Sequence, residues 1–138
     1  NGLPVGQRVA GQGIDSVIGA RPNAAHGRTI FVQQCVRCHG SNGEGMPGQN
    51  GLPNAPPLWG TKSFNIGAGM ARQGVAAAFI RRNMPYDLPG TLSAQDAADV
   101  AALVVSRPRP DLPGKERDWP RGDAPPDVAY KTKSGLRP

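Results

Sequence analysis

Cysteine is scarce in this chain: 138 residues hold two, Cys35 and Cys38. One pair so close together excludes a disulfide framework. A structural zinc site needs four ligands, and beyond His39 only His26 is available, with no further cysteine. Aromatic residues make up 5% and apolar residues 38%, against 19 glycines and 15 prolines. That is poor material for a large core, and much of the chain must be loop. No run approaches the eighteen apolar residues of a membrane span. The net charge is +6. Its basic residues are scattered and accompany no nucleic-acid motif, so nucleic acid is not an expected partner. The length fits one domain, and no internal repeat appears.

Both cysteines fall in Cys35-Val36-Arg37-Cys38-His39. C-x-x-C-H is the attachment signature of c-type haem. If the segment is helical, the two thiols share one face, three residues apart. The following imidazole can then swing onto the iron. A thioredoxin-like C-x-x-C needs a βαβ pattern, which is not visible. A plain disulfide leaves His39 unexplained. One motif means one haem c, attached through Cys35 and Cys38, and its large apolar face offsets the thin core. Haem of this type is attached outside the bacterial cytoplasm, so a periplasmic, exported protein is expected. The start at Asn1, without methionine or signal peptide, fits a processed mature chain or an engineered one.

Residues 1–26 read as an N-terminal arm, with Val5, Val9, Ile14, Val17 and Ile18 available to pack. Helical spacing predicts a short helix over 27–35, with Phe31 on the face of Cys35 and so near the haem. Residues 40–60 form a turn-rich loop that places Met46 too close to His39 to reach the far haem face. Metal-ligating histidine usually donates its other N–H to a carbonyl or carboxylate, and Pro56 is the candidate acceptor for His39. The indole of Trp59 suits either a haem propionate or packing. A helix over 71–83 ends at Met84, because the residue before Pro85 is pushed out of the α region. Ser93-x-x-Asp96 caps the next helix, which runs to Ser106 with Ala97, Val100, Ala101 and Val104 as its buried stripe. Residues 107–138 are rich in proline and charge. They read as an extended C-terminal arm laid over the domain and pinned by Trp119 and Tyr130.

His39 leaves one face of the iron open. Met84, Met70, Lys62 and His26 are the candidate ligands. Met84 has the best context, 45 residues after His39 and fixed by Pro85. Methionine ligation favours a high-potential electron-transfer site.

The pattern Gly27-x-x-x-Phe31-x-x-x-Cys35-x-x-Cys38-His39-Gly40, with Pro56-Pro57-Leu58-Trp59-Gly60 and Met84-Pro85, resembles the class I cytochromes c over about residues 27–106. Ala55 replaces the first glycine of that family's G-P-x-L-x-G loop. The resemblance implies an all-α cytochrome c fold around one haem, with His39 and Met84 as axial ligands and extended arms at 1–26 and 107–138. Over about 55–130, the pieces Phe64-Asn65-x-Gly67-Ala68-Gly69-Met70, Phe79-Ile80-x-x-Asn83-Met84-Pro85 and Arg107-Pro108-x-Pro110 resemble a cytochrome domain of thiosulfate dehydrogenase-like proteins. Those enzymes typically carry two haems, with a cysteine ligand at the active one. Without a second motif or a spare cysteine, this chain resembles the electron-accepting domain.

The expectation is therefore a periplasmic electron carrier, not an enzyme. It would exchange single electrons with redox proteins, and its basic surface could steer acidic partners. A haem subunit or enzyme of sulfur-compound oxidation, with a labile sixth ligand, is the alternative.

Overall fold

Asn23 starts the first helix. Its side chain accepts the His26 backbone N–H at 3.1 Å, satisfying one of the donors a helix N-terminus leaves open. The computed structural model describes residues 21–119, 121, 122, 124 and 126–130. Within them lie α1 (Ala24–Gln34), α2 (Val36–His39), α3 (Gln73–Asn83) and α4 (Ala94–Val105), with 3₁₀ turns at Gly69–Ala71 and Lys115–Arg117. There is no strand among the described residues, only an isolated bridge between Met46 and Ala55, in keeping with the all-α expectation. Helix α1 begins three residues before the expected Gly27, because the cap is Asn23. The N-terminal arm up to residue 20, with its five apolar candidates, lies outside the described residues, as does the arm's end from residue 131.

Helix α4 is the centre of the packing, with α1 and α3 both laid against it. Ser93 caps it by accepting the Asp96 N–H at 3.0 Å, and Ala97, Ala98, Val100, Ala101, Leu103 and Val104 are buried along it. Helix α1 contributes Gly27, Ile30 and Phe31, and α3 contributes Ala76, Ala77, Ala78 and Ile80. Small residues on facing helices let the axes approach closely. The closest approach is at Gly27, where a Cβ would sit inside the backbone carbonyl of Asp99. Phe31 is the largest fully buried side chain.

One buried carboxylate ties α1 to α4. Asp99 accepts from the Asn23 N–H at 2.8 Å, from Gln95 Nε2 at 3.0 Å and from His26 Nδ1 at 2.7 Å. Burial pushes its carboxyl up, but these hydrogen bonds together outweigh burial and hold it below its ordinary value.

The segment after α4 does not leave the domain. Gly60 donates its N–H to the Pro108 carbonyl at 2.7 Å, and Ile66 to the Pro110 carbonyl at 3.0 Å. Farther on, Asp127 accepts the Gly74 N–H at the start of α3 at 3.2 Å. The Trp119 and Tyr130 rings stack with centroids 5.9 Å apart, and the Tyr130 hydroxyl donates to Asp118 at 2.7 Å. Val128 and Tyr130 are buried. Among the described residues, no helix is long and apolar enough to cross a membrane.

Candidate haem-binding site

The two cysteines flank a joint instead of sharing one continuous helix. Helix α1 stops at Gln34, Cys35 turns away with φ −115°, and α2 begins at Val36. The Cys35 carbonyl then accepts the backbone N–H groups of both Cys38, at 3.1 Å, and His39, at 2.9 Å. This hinge presents Cys35, Cys38 and His39 to one cavity of about 800 Å³. Its wall is mostly apolar, with Phe31, Leu58, Phe64, Phe79, Ile80, Val100 and Val104 from all three longer helices and the loop between them. Pro53, Pro56 and Pro57 close one side, and Met84, Pro85, Tyr86 and Pro89 another. Arg37 reaches across from the motif to Asp87, 2.8 Å between Nη1 and Oδ2.

The donor set fits a covalently held haem. Both thiols are free, and neither is in a disulfide. Burial pushes the Cys35 thiol up to about 11, against a smaller opposing pull from Arg37. That is unlike the acidic thiolate of a redox-active pair. The His39 ring is 8% exposed. Burial lowers its pKa, opposed by the hydrogen bond to Pro56, so the ring stays neutral at pH 7. Its Nδ1 lies 2.9 Å from the Pro56 carbonyl. A carbonyl can only accept, so Nδ1 carries the proton and Nε2 keeps its lone pair for a metal.

The candidate ligands separate by position. Met84, Met70 and Lys62 all line the cavity. Met84 terminates α3, its N–H bonded to the Ile80 carbonyl at 3.0 Å, and Met70 sits in the 3₁₀ turn. His26 is elsewhere, held by Asp99 and half exposed. Trp59 stands behind the wall: its ring stacks on Phe31 with centroids 5.3 Å apart, and Arg107 covers it at 5.6 Å. Gly43, at φ +62°, leaves no room for a Cβ beside that indole. Val100 and Val104 were legible only as a helix stripe, but they also close the cavity floor. Arg107 was legible only as part of the Arg107-Pro108-x-Pro110 resemblance, and Arg109 gave no signal beyond composition.

A single-haem, helical c-type cytochrome is what this geometry defines. The cytochrome c family model matches residues 24–108, more than half of the chain, and the chain belongs to that family. With it comes haem c, bound at Cys35 and Cys38. Among curated relatives, thiosulfate dehydrogenase of Psychrobacter arcticus is 43% identical over 129 residues, covering 91% of this chain and 39% of its own. The Allochromatium vinosum thiosulfate dehydrogenase is 46% identical over 110 residues, covering 79% and 41%. The chain thus spans about two fifths of these relatives. Among solved structures, the thiosulfate dehydrogenase TsdBA of Marichromatium purpuratum superposes with a TM-score of 0.64 at 37% identity, covering 83% of this chain and 26% of that one. These names overturn the expectation of a carrier that is not an enzyme: they point to an enzyme or a part of one. The single motif and the missing spare cysteine misled, because they describe this stretch alone and the relatives it matches are more than twice as long.

Proposed function

We propose that this chain is the electron-transferring haem domain of a periplasmic thiosulfate-oxidising enzyme or subunit, with His39 and Met84 as axial ligands. Residues 27–106 form the haem domain, and the described part of the segment from residue 107 onward lies upon it. When bound, haem c supplies a one-electron ferric/ferrous couple. Pro56 keeps His39 in the tautomer that offers Nε2. Met84 presents a polarizable thioether from a helix end whose backbone is already hydrogen-bonded. Phe31, Leu58, Ile80 and Val104 exclude water, so little reorganises when the charge changes. The single observation that carries the reading is the neutral, oriented His39 on the same apolar cavity as Met84. Oxidation of thiosulfate releases electrons, and relatives named for that reaction need a module to receive them. The lone C-x-x-C-H and the lack of a spare cysteine support assigning this module that role.

Absorption spectroscopy tests both halves. The ferric protein should show the weak long-wavelength band of an iron–methionine bond, and the reduced protein should not bind carbon monoxide. Met84→Ala should abolish the band and Met70→Ala should leave it; the reverse result reassigns the ligand. Thiosulfate alone should leave the oxidised chain oxidised, whereas thiosulfate with a catalytic thiosulfate dehydrogenase haem domain should reduce it. Direct reduction by thiosulfate would make this haem the catalytic one.

A further inference from the structure

Residues 84–92 join α3 to α4 and form one lip of the cavity, through Met84, Pro85, Tyr86 and Pro89. The segment is anchored near its ends, where Pro85 and Leu92 are buried. Between them the chain runs exposed from Tyr86 to Thr91. Its other hydrogen bonds are local. The Met84 N–H donates to Ile80 at the end of α3, the Leu88 N–H to the Pro85 carbonyl at 2.9 Å, and the Thr91 hydroxyl to the Leu88 carbonyl at 2.8 Å. Among the described residues, one polar tie leaves this segment for the haem motif. The Asp87 carboxylate accepts from both arms of the Arg37 guanidinium, Nη1 to Oδ2 at 2.8 Å and Nη2 to Oδ1 at 2.5 Å. Arg37 stands between the two cysteines and itself lines the cavity. The pair thus spans the mouth, from the helix that would hold the haem to the segment that carries Met84.

Exposed ion pairs are usually weak, and these side chains are 44% and 40% exposed. Two features set this one apart. Its two-bond planar fork fixes orientation as well as distance. It also joins positions fifty apart across a cavity, so what it holds shut is the mouth. We propose that Arg37 and Asp87 form a salt-sensitive latch that keeps the Met84 segment closed over the haem, and that opening it frees the sixth position of the iron for an outside ligand. The proposal rests on the reading of His39 and Met84 as axial ligands. Arg37 and Asp87 are positioning residues, acting on the iron only through the segment. A competitor that needs the open form binds in proportion to the fraction open. The latch therefore sets the affinity for anything that displaces Met84, and rising salt weakens the latch by screening.

The test uses the haem-loaded ferric chain with imidazole as the competitor, at a pH where imidazole is neutral, read by loss of the iron–methionine band. Wild type should bind imidazole on the order of threefold more tightly in about 0.5 M salt than in about 0.02 M. Asp87→Asn should bind it about threefold more tightly than wild type at low salt and lose most of the salt response, with the band intact before imidazole is added. Arg37→Gln should behave alike. The exchange of Arg37→Asp with Asp87→Arg should restore wild-type affinity, a rescue that loosened packing would not show. Equal imidazole affinity in wild type and Asp87→Asn at low salt would overturn the latch. If changes at Arg37 impair haem attachment, Asp87→Asn and the salt series decide alone. A wild-type chain without the iron–methionine band would refute the ligand reading and the latch with it, whereas a band present with unchanged imidazole binding refutes the latch only.

Discussion

Substituting Gly27 by alanine should destabilise this protein, although the same change in an ordinary helix stabilises it. In an exposed helix interior, alanine is better than glycine by about 1 kcal/mol. At Gly27 the added Cβ would meet the Asp99 carbonyl oxygen, its carbon and the Val100 nitrogen, the last at 2.9 Å. These are backbone atoms of α4, so no rotamer change relieves the overlap. The helices must part, at an overpacking cost of about 1–3 kcal/mol or more. Parting them also lengthens the Asn23 and His26 bonds to Asp99, whose loss adds about 1 kcal/mol each. The net expectation is roughly 2–4 kcal/mol of destabilisation, a fall on the order of 10 °C in Tm for a domain of this size. Gly74 is the internal control. A Cβ there meets only an Asp127 oxygen at 3.6 Å, an ordinary contact. Gly74→Ala should therefore hold or raise Tm, by up to about 1 kcal/mol. Thermal unfolding of the haem-loaded protein, followed at 222 nm and at the Soret band, reads both. Shifts of the same sign for the two variants would refute the close-approach argument.

Asp99→Asn should cost about 1–3 kcal/mol at neutral pH, since it keeps the shape and loses charge-assisted hydrogen bonds. Because the folded-state pKa is depressed, that stability is present above the unfolded value of about 3.9 and is lost as pH falls through the lower folded value. The Tm gap between wild type and Asp99→Asn should thus shrink from pH 6 to pH 3; a constant gap would contradict it. Burial and the bond to Asp118 raise the Tyr130 hydroxyl to about 12. Ultraviolet titration should find one tyrosine ionising near there, absent in Tyr130→Phe. Stability from this group holds below the unfolded pKa of about 10 and fades as pH rises through 12. If Tyr130→Phe leaves the titration unchanged, the segment beyond α4 is not seated as described.

What could be read in advance follows the range of the interactions. The haem motif, the Ser93 cap and the helix stop at Met84-Pro85 are written in neighbouring residues. The acceptor for His39 could be named because a rigid proline segment offers its carbonyl without competition. Asn23 was passed over as a cap because no apolar stripe follows at once: Ala24, Ala25 and His26 carry no period. The importance of Gly27 depends on Asp99, seventy-two positions away, and the local Gly27-x-x-x-Phe31 pattern marks the position without saying what it packs against. Trp59 could be placed near the haem but not behind Phe31, since that choice is made by Gly43 and Arg107 on either side. Carrier and enzyme could not be told apart at this haem, because a domain that relays electrons keeps the same ligands in both.

The bonds from Gly60 to Pro108 and from Ile66 to Pro110 bear on how such a module can be cut and rejoined. The family match stops at residue 108, between these two bonds. A fusion or truncation drawn at that border would keep Cys35, Cys38, His39 and Met84 and the Gly60–Pro108 bond, yet lose the Ile66–Pro110 bond and the Arg109 bond to Leu58, two of the ties on the loop that carries Leu58, Lys62 and Phe64. The unit held together by these bonds is larger than the family match, and a working graft must carry the chain at least through Pro110, and through Asp127 if the Gly74 N–H at the start of α3 is to keep its acceptor.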